Sequence, residues 1–91
     1  MAQETEIVIN HKDGLHLRPA ALFVQTAASY NADIKVRNVT KDTDFQNAKS
    51  AIGVMMLKVG RGDTIAIRAE GADAADALEG LTGLVERGFT E

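Results

Sequence analysis

"NADIKVRNV", residues 31–39, alternates between apolar and polar side chains. Successive side chains of an extended chain point to opposite faces. Ile34 and Val36 therefore share one side, while Asp33, Lys35 and Arg37 share the other. One apolar and one charged face is the pattern of a half-buried antiparallel strand, not of a parallel strand buried on both sides. Strands of this kind need a covering layer on one face only, and that requirement decides the fold class.

The neighbouring segments repeat the pattern. "TEIVIN" (5–10) reads as a strand with Ile7 and Ile9 on one face, and "DTIAIRAE" (63–70) as another with Ile65 and Ile67 inward. "TKDTD" (40–44) is a polar hairpin loop, followed by a short strand around Phe45. "HKDG" (11–14) and "VGRGD" (59–63) are turns. Between them lie three helices. The first is expected from about Arg18 to Ser29, with Phe23, Val24, Ala27 and Tyr30 as its buried stripe. Pro19 suits a first turn, where its missing N–H has no partner to lose. "AKSAIGVMML" (48–57) predicts a short helix starting near Ser50, weakened by Gly53. "GADAADALEGLTGLVERG" (71–88) predicts a third, with Ala74, Leu78, Leu81 and Val85 inward and Gly88 at its end. Gly80 and Gly83 each cost that helix about 1 kcal/mol relative to Ala. The expected architecture is α+β: a two-layer open-faced sandwich with a four-stranded antiparallel sheet and three helices on one face. Residues 1–91 are expected to form one domain, without linkers, repeats or low-complexity tracts.

Composition narrows the function. The chain has 91 residues, 45% of them hydrophobic, enough for one modest core. A formal charge of −3 argues against a broad nucleic-acid backbone contact, and the four aromatic residues and absent Trp leave no stacking platform for single strands. With no cysteine, disulfides and thiolate metal sites are excluded. No run approaches the roughly 20 apolar residues of a membrane span. "MAQETEIVIN" lacks the basic start and apolar run of a secretory signal, so the expected location is the cytoplasm. The default assembly state is a monomer.

Chemistry concentrates in "GLHLRPAA" (14–21), which holds one of two histidines and the only proline. His16 stands at the mouth of the first helix, where the leading N–H groups lack carbonyl partners and favour anions. Arg18 adds a guanidinium fork suited to phosphate oxygens. An imidazole in that field is expected to resist protonation and keep a lone pair for attack. On spacing alone, a solvated His and Arg flanking an ordinary helix start is the favoured reading. No neighbouring acid or second His completes a triad or metal site, and His11 reads as a surface turn residue.

"GLHLRPAALFVQTA" resembles the active-site signature of the HPr phosphocarrier family of the phosphoenolpyruvate-dependent sugar phosphotransferase system. "NAKSAIGVMML" resembles that family's second signature, and "GDTIAIRAEGADAADALEGL" its last strand and helix. The resemblance implies that His16 accepts a phosphoryl group on Nδ1 (pros-phosphohistidine) from phosphorylated enzyme I and passes it to IIA components of sugar transporters. Arg18, with the amides of Leu17 and Arg18, would hold the phosphate. The chain would then be a carrier, not an enzyme turning over a small substrate, with no cofactor and no metal. Ser50 matches the serine that a kinase phosphorylates in part of the family, so a serine kinase/phosphorylase and a transcription regulator are further expected partners. From the residues alone, Ser50 reads as a helix N-cap. Ile52, Met55 and Met56 match the family's docking surface; core packing is the other reading, and adjacent Met55 and Met56 are expected to point different ways. Three features depart from the family: Leu17 where a small residue or Thr is usual, Ala51 in the docking patch, and a longer 39–46 loop. A regulatory binding protein working through phosphorylated Ser50, and a carrier in a nitrogen-linked or kinase-regulating branch, are the rival functions.

Overall fold

The computed structural model describes residues 2–90. The chain runs β1 (Ala2–Val8), α1 (Leu17–Ala28), β2 (Asp33–Asn38), β3 (Gln46–Asn47), α2 (Ala51–Met56), β4 (Thr64–Glu70) and α3 (Ala74–Glu86). The four strands form one sheet in the order β1-β4-β2-β3, antiparallel at every pairing. β4 is central: Ile65 lies opposite Ile7 of β1 and Asn38 of β2, and Ile67 opposite Thr5 and Val36.

One sheet face carries the core. Ile34, Val36, Ile65, Ile67 and Ala69 pack in a single cluster with Leu22, Phe23 and Ala27 of α1, Val54 of α2, and Ala77, Leu81 and Leu84 of α3. The other face presents Asp33, Lys35, Arg68 and Glu70 to solvent. Ala66 is the exception on that open side. It is fully buried between its cross-strand neighbours Glu6 and Arg37, and Arg37 in turn lies over the Phe45 ring at 5.9 Å. α3 lies against β1, β4 and β2, while α1 packs on both α2 and α3.

The boundaries differ from expectation at β1, which begins at Ala2 because β4 extends to Glu70 and pairs with it. Ile9 falls outside the strand yet keeps two ladder-like bonds, donating to the Asp63 carbonyl at 2.8 Å and accepting from the Gly62 amide at 2.7 Å. The α1 stripe is broader than Phe23 and Ala27: Pro19, Ala20 and Leu22 are also buried, while Val24 and Tyr30 are half-buried. In α3, Ala77 and Leu84 join Ala74, Leu81 and Val85, and Leu78 is only half-buried. Gly80, read as a weakness, is a packing site: a Cβ there would fall on the Tyr30 phenol.

Two carboxylates tie the layers. Asp73 precedes α3 but does not cap it; its two oxygens accept the amides of Asn31 and Ala32 at 2.8 Å each, fastening the approach to β2. Asp63 precedes β4, and its Oδ2 accepts from the Gly60 amide at 2.9 Å and from Asn38 Nδ2 at 3.1 Å, with Lys41 Nζ 3.4 Å away. The Gly60 and Asn38 hydrogen bonds, helped by Lys41, hold the Asp63 carboxyl below its ordinary value against an opposing pull from burial. A carboxyl depressed in the folded state adds stability above its unfolded value of about 3.9, and that stability drains away as pH falls through the folded value. Urea unfolding midpoints measured between pH 6 and pH 2.5 should therefore drop more steeply for the natural chain than for Asp63→Asn, with the divergence confined below about pH 4.

Candidate functional site

The loop that carries His16 is built against the 57–63 segment. Gly14 N–H donates to the His11 carbonyl at 2.9 Å, closing a turn, and Leu15 N–H donates to the Val59 carbonyl at 3.0 Å. Gly14 has φ +59, and any Cβ there would run into the Val59 carbonyl oxygen. Only glycine meets both demands cheaply. Leu15 is fully buried, so the chain is anchored immediately before His16.

His16 is the N-cap residue of α1, with extended backbone (φ −123, ψ 159) and a half-buried side chain that makes no capping hydrogen bond. The imidazole is thus not consumed in satisfying the helix. The first turn holds no acidic residue of its own to offset its positive end. Arg18 is exposed in that turn, and Pro19 is buried beneath it. The arrangement puts His16 at the N-cap of α1 and Arg18 in its first turn, beside the leading amides. Such a group can take an anion and offer it a nucleophile.

Leu17 carries a conformational cost. Its φ is +54, in the left-handed region that a branched side chain rarely occupies. A residue held this way stores about 1–3 kcal/mol and persists only where its surroundings over-determine it. The buried residues Leu15 and Pro19 on either side supply that constraint.

The second signature forms α2. Ser50 caps it: its Oγ accepts from the Gly53 amide at 3.1 Å, and its carbonyl accepts from Val54 N–H at 3.0 Å. Ile52, Met55 and Met56 are 71%, 41% and 63% exposed, so the core reading fails for all three, and Leu17 is 77% exposed. Met55 and Met56 both remain at the surface, because the six-residue helix fills its core side with Val54 and the following Leu57. α1 and α2 are in contact, so the helices that carry these exposed apolar residues are neighbours.

His11 is better fixed than a surface turn residue. Its Nδ1 accepts from the Asp13 amide at 3.0 Å and its ring meets Phe89 edge-on at 5.7 Å. Two surface hollows, of about 390 and 400 Å³, are lined by Asp33, Lys35, Phe45, Arg68 and Glu70, and by a set around Ile7, His11 and Val85; His16 lines neither. Sequence reasoning missed Asn38, which is fully buried. The signal was present: residue 38 continues the inward phase of Ile34 and Val36, where a carboxamide demands hydrogen-bond partners.

Comparison with known proteins gives a consistent result. Residues 3–87 match the model of a family described as PTS HPr component phosphorylation site. The chain is 40% identical over 84 residues to HPr-like protein Crh of Halalkalibacterium halodurans, covering 92% of this chain and 96% of that one. It is similar to HPr-C-His from Thermoanaerobacter tengcongensis with TM-score 0.91 and 45% identity, covering 98% and 97% of the two chains. It is also similar to the phosphocarrier protein HPr from Bacillus anthracis, with TM-score 0.85 and 43% identity over 92% and 96%. Matching sequence signatures, sheet order and helix placement together make this chain a member of the HPr family.

Proposed function

We propose that the protein carries a phosphoryl group on Nδ1 of His16, taking it from phosphorylated enzyme I and delivering it to IIA components of sugar transporters in the cytoplasm. The observation that carries this reading is the helix mouth itself: an imidazole with no capping role, beside Arg18 and a first turn without acid. The Nδ1 lone pair attacks phosphorus as the donor's bond to it breaks, with the donor retaining that electron pair. The new P–N bond is a phosphoramidate, reopened by the next acceptor in the same in-line manner. Arg18 and the amides of Leu17 and Arg18 stabilise the phosphoryl oxygens. A surface cradle suits carriage, since binding the resting phosphate too tightly would slow its departure. The exposed side chains of Leu17, Ile52, Met55 and Met56 provide the docking patch, and thioethers adapt to several partners in turn.

Incubation with phosphoenolpyruvate and enzyme I should give acid-labile, alkali-stable label. Loss of that label in His16→Ala confirms the acceptor, and its survival there removes the proposal. Arg18→Ala should keep the label but slow acceptance by tenfold or more, on the order of one lost charge-assisted contact.

Leu17→Gly tests the stored strain. Relief of the left-handed conformation outweighs the added freedom of the unfolded chain, so stability should rise by about 0.5–1 kcal/mol in urea unfolding.

A second reading is favoured by the similarity to Crh, the Bacillus subtilis catabolite repression HPr, at 40% identity. In it, phosphorylated Ser50 docks on a transcription regulator or metabolic enzyme. Negative charge at the α2 N-cap is compatible with the fold. Ser50→Asp should keep the natural unfolding midpoint, whereas Ser50→Ala should lose about 1 kcal/mol. Acid-stable label from ATP and a matching kinase, absent in Ser50→Ala, would establish this role.

A further inference from the structure

We propose that Asn38 and Asp63 form a positioning hub for the His16 imidazole, shaping the 57–63 segment on which both ends of the His16 loop rest. The inference builds on the reading of His16 as phosphoryl acceptor.

Asn38 is the one buried polar side chain among the described residues. Its Nδ2 donates to the Leu57 carbonyl at 3.1 Å and to Asp63 Oδ2 at 3.1 Å, and its Oδ1 accepts from the Lys41 amide at 3.1 Å. Asp63 Oδ2 also takes the Gly60 amide at 2.9 Å. Residues 57, 60 and 63 are thereby tied to one carboxamide and one carboxylate oxygen. Within this span Lys58 holds φ +52, a conformation that needs outside support, and its carbonyl accepts from Lys41 Nζ.

The tied segment grips the His16 loop twice. The Asp63 carbonyl accepts from Ile9 N–H at 2.8 Å, where the loop leaves β1. The Val59 carbonyl accepts from Leu15 N–H at 3.0 Å, one residue before His16. Consecutive Cα atoms are about 3.8 Å apart, so a displaced Val59 carbonyl moves the imidazole with little room for absorption. A misplacement of about 1 Å can cost a transfer reaction on the order of a hundredfold. A valine would pack in the inward phase of β2 more simply than a carboxamide that must be fully satisfied. The Asn38 side chain acts through Asp63, Val59 and Leu15, and is a positioning residue, not a catalytic one.

The test compares the natural chain with Asn38→Ala, Asp63→Ala, Asp63→Asn and the milder Lys41→Ala, each checked for folding by its amide NMR spectrum. Enzyme I is the assay enzyme, and the carrier concentration is varied. Folded Asn38→Ala and Asp63→Ala should lower kcat by about tenfold to a hundredfold. KM should stay within about twofold of the natural value, because the apolar docking patch is untouched. The ¹⁵N resonances of the His16 ring should shift in both, and Asp63→Asn, which keeps an acceptor oxygen, should recover most of the rate. Should the alanine variants not fold, Lys41→Ala carries the test through a severalfold fall in kcat with shifted ring resonances. Unchanged kcat and ring resonances in the folded variants overturn the proposal. If the natural chain takes no label from enzyme I, the carrier reading fails on its own. The ring resonances and Leu15 amide exchange across the set still decide whether the hub positions His16.

Discussion

Gly14 passes so close to Val59 that no side chain fits between them, and that contact fixes the chain two residues ahead of His16. The Leu15 amide bonds to the same Val59 carbonyl, and Leu15 buries its side chain at once. The backbone then reaches His16 in extended form and turns abruptly through Leu17 into α1. A loop gripped at this point has few conformations left, and the imidazole inherits that restriction. For the phosphoryl acceptor role proposed for His16, such preorganisation would let each encounter find the ring already in place.

The chain separates its three kinds of surface with little mixing. The helical side of the sheet holds the core, the opposite side holds charge, and the exposed apolar side chains of Leu17, Ile52, Met55 and Met56 lie on two helices that touch. A short helix helps here. α2 has six residues, so it can bury one side and must leave the other in water. Family membership and this distribution agree, since a carrier needs a recognisable face that differs from the rest of its surface.

Much of this was legible in residues with strong local signals. Alternation at Ile34 and Val36, or Ile65 and Ile67, marks strands with one apolar face, and four such strands leave few ways to arrange the helices. Ser50 was readable as a cap because a hydroxyl before a helix has one obvious task. Pro19 marks the first turn and so put His16 and Arg18 at the start of α1, while their role came only from the family resemblance. What escaped was non-local. Asp63 looks like part of a turn until Asn38, 25 residues away, is known to face it. Asp73 looks like a helix cap, yet its oxygens go to amides 41 and 42 residues earlier. The strain at Leu17 has no signature in composition, since it arises from anchors on both sides. Tyr30 against Gly80 is likewise a tertiary contact that helix propensity alone reads as a defect.

The two margins of the sheet also differ in a useful way. β3 is two residues long, too short a ladder for a foreign strand to extend. β1 is longer, but Glu4 and Glu6 lie along it. An antiparallel copy drawing alongside would bring carboxylates near one another, and like charges across a pair are unfavourable. Brevity guards one border and repulsion the other, so sheet growth from molecule to molecule is discouraged.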